Sequence, residues 1–148
     1  MSNISIKLIA TGIIGFIAGL IGGWDMVLEI LCILIVVDYL TGLGVALKEK
    51  KLNSSIGFLG ILKKAMIFLV LILAAQLDRI TNNQANLFRT ATALFYISNE
   101  GISILENIGN IGVSLPPFIV KVLEQLRENS SKGIIDDMKE KVREEGEI

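Results

Sequence analysis

Long apolar runs divide this chain into four segments, each close to the length that crosses a membrane as a helix. About 20 apolar residues span the roughly 30 Å hydrocarbon core of a bilayer. The pattern predicts transmembrane helices over residues 4–24, 26–47, 61–77 and 87–111. Three spans are the alternative, with the first segment at the membrane surface or outside it.

The fourth segment differs from the others because its polar side chains gather on one face. At 100° per residue they cover an arc of about 120°, and apolar side chains fill most of the rest. We call this set the polar stripe: Arg89, Thr92, Tyr96, Asn99, Glu100, Ser103, Glu106, Asn107 and Asn110. A helix of this kind needs lipid on one side and water or another polar helix on the other.

The region after the fourth segment is more polar. Pro116 and Pro117 end the segment and allow a new helix to begin. Apolar residues over 118–128 follow helical spacing, which predicts a short amphipathic helix on the inner membrane surface or against a neighbouring subunit. Residues 129–133 are typical of a flexible break, and the mostly acidic residues 136–147 of a solvated, partly disordered tail.

The composition favours a membrane protein and argues against catalysis. Of the 148 residues, 52% are hydrophobic, and the mean hydropathy is +0.64. A net charge of −1 provides no basic surface for nucleic acid. The chain has no His and one Cys, Cys32 within an apolar run, and it lacks a Ser/His/Asp set or a Gly-rich phosphate loop. We therefore expect no catalytic residues, no metal site and no cofactor.

Lysines in the connection between the second and third spans predict the orientation of the chain, because cytoplasmic loops carry an excess of Lys and Arg. These lysines are Lys48, Lys50, Lys51, Lys63 and Lys64. We expect them on the inner side of a bacterial cytoplasmic membrane, with both chain termini also cytoplasmic. Residues 1–112 then form the transmembrane domain, and residues 113–148 form a cytoplasmic region.

Two carboxyl groups lie inside the predicted spans. Asp38 falls near mid-membrane in the second span, and Glu100 falls in the inner half of the fourth. A carboxylate at such a depth is costly unless it is paired, wetted or protonated. Asp38 is either a neutral group hydrogen-bonded to Thr41 or to a neighbouring helix, or a group that faces a pore or responds to the membrane voltage. Arg89 is too far along the helix to pair with Glu100, which leaves Lys63, Lys64 or an arginine of another subunit.

Small residues recur every four positions in the first span. They are Thr11, Gly15, Gly19 and Gly23. A helix face without bulk allows another backbone to approach closely. We expect tight helix packing on this face, with the partner either in the same chain or in another copy.

Several landmarks occur in order between residues 37 and 126. They are Asp38-Tyr39-Leu40-Thr41-Gly42, a Lys-Leu-Asn-Ser-Ser stretch within residues 48–64, the run from Asn99 to Asn107, and a Gly-Val-x-x-Pro-type exit within residues 109–117. Together they resemble the toxin-secretion and phage-lysis holin family of phages and prophages of Gram-positive bacteria. The resemblance implies a protein that oligomerises in the cytoplasmic membrane and, at a set time, opens lesions for a muralytic enzyme (endolysin) or assists toxin release.

The resemblance also implies roles in assembly or lesion lining for the residues that match. These are Asp38, Tyr39, Thr41, Gly42, Asn99, Glu100, Ser103, Glu106 and Asn107. The polar stripe adds Arg89 and Tyr96 to them. We expect the stripe to lie against other helices in the intact membrane and to turn toward water on reorganisation. The expected partners are lipid, further copies of the chain, and endolysin or toxin as cargo. An antiholin, a selective ion or solute channel, and a membrane scaffold are the alternatives.

Overall fold

The computed structural model describes residues 3–51, 53–83 and 85–146, and these residues form five α-helices without a β-strand. The helices are α1 (Asn3–Leu20), α2 (Met26–Lys48), α3 (Ser54–Ile80), α4 (Leu87–Ile111) and α5 (Pro117–Gly146). Leu52 of the Lys-Leu-Asn-Ser-Ser stretch and residue 147 of the predicted tail lie outside the described residues. The described part of the chain is therefore all-helical, as its sequence pattern predicts.

Glycine ends α1 earlier than the predicted span 4–24. Gly22 and Gly23 have φ angles of +87° and +104°, which L side chains rarely adopt. The amide of Gly23 donates to the carbonyl of Ala18 at 2.8 Å, as in a Schellman motif. The helix stops at Leu20, and the next five residues, 21–25, connect it to α2.

Capping at Asp25 and the lengths of the connections set the starts of α2, α3 and α4. Asp25 caps α2, because its carboxylate accepts a hydrogen bond from the amide of Leu28 at 2.9 Å. α2 and α4 begin at the residues that the pattern predicts, whereas α3 begins at Ser54 rather than at residue 61. The lysine-rich connection is therefore much shorter than expected, and Lys64 lies within a helix.

α4 is the central helix of the described chain. It packs against α2, α3 and α5, whereas α1 contacts only α3. The apolar core between these helices, called the core cluster here, is formed by Ile21, Leu28, Leu31, Ile35, Ile67, Leu71, Ala93 and Ile97. α4 therefore has neighbours on several sides, unlike a helix that is mainly surrounded by lipid.

Two helices of the described residues are long and apolar enough to cross a membrane. The mean hydropathy is 2.4 for Met26–Lys48 and 2.3 for Gly57–Ile80. Only 11% and 22% of their most apolar windows are buried. The core helix of a soluble protein would be mostly buried, so the outward-facing apolar side chains favour contact with lipid. α1 is apolar over the shorter range Ile4–Leu20.

α5 is one continuous helix, Pro117–Gly146. The prediction of a break at residues 129–133 was wrong. The Ser130 hydroxyl donates to the Leu126 carbonyl one turn earlier at 2.7 Å, which accommodates the serine within the helix. Ser130 is also buried. The expectation of a partly disordered tail was likewise wrong for the described residues, since the helix continues through them.

α5 folds back along α4 and runs antiparallel to it. A Cβ atom at Gly109 would lie 3.4 Å from Leu115, and one at Gly101 would lie 2.9 Å from Cδ1 of Leu123. Further along α5, Leu126 packs against the core cluster. Gly101 therefore provides the space that α5 needs to approach. The sequence predicts this segment at the membrane surface or on a neighbouring subunit, whereas here it covers an apolar face of α4 in its own chain.

Candidate functional site

One lysine joins three helices through two carboxylates inside the bundle. Lys64 of α3 donates from Nζ to Oδ2 of Asp38 on α2 at 2.8 Å. The same Nζ donates to Oε2 of Glu100 on α4. The side chains of Asp38, Lys64 and Glu100 are 12%, 15% and 10% exposed. We call these three residues the ion triad, and it links α2, α3 and α4 at one level.

Two polar residues complete the hydrogen bonding around Asp38. Asn107 donates from Nδ2 to Oδ1 of Asp38 at 3.0 Å and to Oγ1 of Thr41 at 3.1 Å. The Thr41 hydroxyl donates to the Asp38 backbone carbonyl at 3.0 Å. Both carboxylate oxygens of Asp38 therefore have a partner, one charged and one neutral. The buried carboxylate is compensated by α3 and α4 together.

The structure identifies Lys64 as the basic residue that pairs with Glu100. The sequence left Lys63, Lys64 and an arginine of another subunit open, and the structure brings Lys64 to the carboxylate, whereas Lys63 is exposed. Adjacent helical residues point about 100° apart, so only one of the two lysines can face the bundle. Two carboxyl groups share one ammonium, and the triad is neutral overall only when one carboxyl holds a proton.

A cavity of about 320 Å³ lies beside the triad. Its lining extends from Lys51 and Asn53 in the α2–α3 connection to Asp38, Lys64 and Asn107. Tyr39, Ser103 and three glycines, Gly42, Gly57 and Gly60, complete much of the wall. A water molecule occupies about 30 Å³ of liquid, so the space is large enough for roughly ten. Water can therefore reach the ion triad from the lysine-rich end of the bundle.

Arg89 fixes the opposite end of α4 to the turn between α1 and α2. Its Nε donates to the Ile21 carbonyl at 2.6 Å, and its Nη2 donates to the Gly23 carbonyl at 2.9 Å. Its Nη1 meets Oδ2 of Asp25 at 2.5 Å. Arg89 is only 4% exposed. Beside Asp25, its guanidinium lowers the pKa of that carboxyl below the usual value, because it hydrogen-bonds the charged form.

Two α3 side chains bind the last carbonyls of α1. Gln76 donates from Nε2 to the Leu20 carbonyl at 3.0 Å, and Arg79 donates from Nη2 to the Gly19 carbonyl at 2.6 Å. The last carbonyls of a helix lack partners within the helix, and a cation there also complements the helix dipole. α1 is therefore held at its C-terminal end by polar side chains.

Asp78 of α3 caps α4 from a distance in sequence. Its carboxylate oxygens accept from the amides of Phe88 at 3.0 Å and Arg89 at 2.8 Å. The side chain of Asn86, directly before the helix, makes no capping hydrogen bond. Asp78 is 2% exposed, so this cap is inside the protein. Sequence reasoning missed Asp78, because the usual capping signal is a residue directly before the helix.

The remaining residues of the predicted site lie in varied surroundings. Tyr96 is half-buried and meets Phe95 edge-on, with ring centroids 5.4 Å apart. Asn99 is half-buried, whereas Glu106 is exposed. The residues of the polar stripe therefore make several separate contacts along α4 and do not form one site. Glu100 and Asn107 bind α2 and α3, and Arg89 binds the α1–α2 turn.

The predicted packing glycines have different surroundings. A Cβ atom at Gly15 or Gly19 would have nothing within 4 Å among the described residues. Gly23 lies in the turn, where its carbonyl binds Arg89. A Cβ at Gly42 would lie 3.6 Å from Nδ2 of Asn107, so this glycine leaves room for the polar network. The α1 face is therefore open at the Cβ positions of Gly15 and Gly19 among the described residues, although the Gly19 carbonyl binds Arg79.

The predicted topology lysines also have more than one role. Lys48 caps the end of α4, since its Nζ donates to the carbonyls of Asn110 at 2.7 Å and Ile111 at 3.1 Å. The remaining lysines of this set, other than Lys64, are exposed: Lys50, Lys51 and Lys63. Lys48 therefore joins the lysine-rich end of α2 to the end of α4.

The sequence of the chain matches that of a known family. The profile of the bacteriophage holin family matches residues 15–128. The chain belongs to this family. Holins are membrane-permeabilising proteins without enzymatic activity, and no catalytic family is indicated. Holin family membership and the two apolar helices together indicate a membrane protein.

Relatives of the chain include phage and bacterial proteins. A protein of Bacillus phage phi105 named a probable holin is 39% identical over 74% of this chain and 82% of its own length. An uncharacterized protein of Clostridium perfringens is 48% identical over 74% of this chain and 82% of its own. One of Clostridium acetobutylicum is 39% identical over 72% of this chain and 85% of its own. No solved structure matches the chain.

Proposed function

We propose that the chain is a holin, which assembles with copies of itself in the bacterial cytoplasmic membrane and opens lesions there. An endolysin or a toxin then leaves the cytoplasm through these lesions as cargo, without having to bind the protein. The family match over residues 15–128 carries the proposal, and the phage relative named a probable holin supports it. The outcome is lysis of the host cell or secretion of the toxin.

The ion triad gives this proposal a physical basis. Its charges are shared among α2, α3 and α4, so the polar groups satisfy one another while the bundle is closed. Separation of these helices leaves carboxylates and an ammonium without partners, and such groups then require water. Asp38, Thr41, Glu100 and Asn107 act in assembly of the closed bundle. A lesion forms when such bundles associate and reorganise relative to one another in the membrane.

The proposed topology has four spans, α1 to α4. The lysines of the α2–α3 connection and the exposed Lys63 favour a cytoplasmic position for that side. The chain then begins in the cytoplasm, and the connection after α4 returns to it. Before lesions form, α5 is cytoplasmic, because its charged residues do not cross an intact bilayer. The open face at Gly15 and Gly19 supports contact between α1 helices of different copies.

Inducible expression in a bacterium tests the proposal. The strain also produces a cytoplasmic muralytic enzyme without a signal peptide. We expect growth to continue for a set time and then to end in abrupt lysis. A catalytically inactive muralytic enzyme is the control, and with it the culture stops growing without losing turbidity. Continued growth after confirmed membrane insertion contradicts the holin role, and a delay in lysis by a second holin then identifies an antiholin.

A further inference from the structure

The contact between α4 and α5 places charged side chains beside a predicted membrane span. Gly101, against which Leu123 packs, lies about 15 Å from the end of α4 at Ile111, since each helical residue adds about 1.5 Å. The whole helix is about 37 Å long by the same rise, so this contact is near its middle. α5 therefore runs along α4 at the depth that a spanning α4 would have.

The side of α5 that faces away from α4 carries most of the charged side chains of residues 118–132, with the exposed Phe118 and Val122 beside them. Leu123, Leu126 and Ser130 lie on the packed side, as their contacts and burial indicate. We call the exposed set the charged face of α5, and it consists of Lys121, Glu124, Arg127, Glu128 and Lys132. Ionised side chains facing lipid at this depth are costly, so the charged face requires water beside it.

The polar stripe of α4 is already engaged within the bundle. Arg89 binds the α1–α2 turn, Glu100 binds Lys64, and Asn107 binds Asp38. While these contacts persist, the stripe does not present a continuous polar surface. α5 instead exposes a row of charged side chains on its outer side, while its inner side covers the apolar face of α4. α4 and α5 together therefore place a charged surface, which needs water, on the outside of an apolar bundle.

We propose that the charged face of α5 is the water-facing wall of the membrane lesion, with α5 packed along α4 across the membrane. The inference rests on the proposed holin function and names the surface that lines its lesion. α5 takes this position as the lesion fills with water and is cytoplasmic before that. In a ring of copies, the α5 helices face the lumen, and α1 to α3 face lipid and neighbouring copies.

A disulfide between α4 and α5 tests this arrangement in the full-length protein. Cys32 is replaced by Ala, and Gly101→Cys is combined with Leu123→Cys, which removes the side chain that would collide with the new Cβ. Gly101→Cys with Val122→Cys is the matched control, because Val122 is 57% exposed and lies on the outer side. The variants are purified, oxidised or reduced, and reconstituted into liposomes that contain a fluorescent dextran.

The locked protein is the oxidised Gly101→Cys/Leu123→Cys variant, in which the disulfide holds α5 on α4. We expect it to release the dextran at the same rate as its reduced form. In the locked background, Lys121→Leu with Glu124→Leu should reduce release several-fold, whereas Glu29→Leu, an exposed position on α2, should not. Loss of release on oxidation, restored by reduction, would overturn the proposal and identify the packed α5 as a closed state. Unchanged release after removal of the α5 charges would also overturn it. If the native chain releases no dextran, the proposed holin function itself is contradicted.

Discussion

At Lys64, one ammonium group pairs with carboxyl groups that belong to two other helices. Lys64→Met keeps a long side chain but leaves Asp38 and Glu100 without a cation in a buried site. Removing one partner of a buried ion pair costs about 3–5 kcal/mol, because the remaining charge is uncompensated. We expect a lower midpoint of thermal unfolding in detergent and altered or absent lysis.

Lys63→Met provides the matched control for this prediction. Lys63 is the adjacent residue on α3 and is exposed, so the same substitution removes a charge without breaking the triad. Its unfolding midpoint should remain near that of the native chain. Equal losses in the two variants would show that the triad contributes nothing beyond a general effect of lysine. A triple variant, Lys64→Met with Asp38→Asn and Glu100→Gln, should recover stability, since no charge remains unpaired.

The partner of Glu100 shows how far residue-level reasoning can go. The cost of a buried carboxylate predicts that Asp38 and Glu100 need compensation, and helix geometry excludes Arg89 as the partner of Glu100. The choice between Lys63 and Lys64 depends on the rotation of α3 against α4. That rotation is set by side-chain packing between helices that are distant in sequence, which hydrophobic periodicity does not encode.

Among the helices, the position of α4 relative to the α1–α2 turn depends on Arg89. Arg89→Lys keeps the charge but cannot reach the Ile21 and Gly23 carbonyls and the Asp25 carboxylate together, because an ammonium lacks the planar fork of a guanidinium. Each polar group that becomes unsatisfied in a buried site costs about 1–3 kcal/mol. We expect a lower unfolding midpoint and faster proteolysis at the α1–α2 turn.

Lys7→Arg and Arg79→Lys are the comparisons for Arg89→Lys. Lys7 is exposed on α1, and Arg79, also exposed, binds a single α1 carbonyl. Proteolysis of the turn should increase most for Arg89→Lys, slightly for Arg79→Lys, and not for Lys7→Arg. The role assigned to Arg89 is contradicted if the turn is equally protected in all three variants.

The cap that Asp78 of α3 provides for α4 leads to a separate prediction about helix stability. Asp78→Ala removes the acceptor for the amides of Phe88 and Arg89 and should destabilise the protein by about 1 kcal/mol, within the range of 0.5–2 kcal/mol for lost caps. Asp78→Asn retains one acceptor oxygen and should lose less. Thermal unfolding in detergent compares the two, and an equal loss would mean that the capping bonds are not the cause.

The helices themselves were more predictable than their ends and packing. The apolar runs predicted the observed starts of α2 and α4, because a membrane span needs about 20 apolar residues. Residues 129–133 suggested a break, yet Ser130 bonds within α5 and packs inward. The position of α5 on α4 was not predicted either. The sequence does not show that Gly101 leaves space for Leu123, which lies 22 residues later.

For the whole molecule, the open face of α1 predicts how copies of the chain associate. Gly15→Leu should leave the fold of a single chain intact, because a Cβ there has nothing within 4 Å among the described residues. If this face packs against a second copy, the leucine prevents the close approach of two backbones. We expect fewer and smaller cross-linked oligomers in the membrane, together with delayed lysis.

Ile17→Phe is the control for Gly15→Leu, because it adds bulk on the opposite side of the same helix, where Ile17 is exposed. Thermal unfolding of both proteins in a monomerising detergent should match that of the native chain, which separates association from folding. Chemical cross-linking in membranes should then show shorter ladders for Gly15→Leu alone. Identical ladders for the two variants would contradict an interface at this face, and the copies would have to meet through α2, α3 or α5 instead.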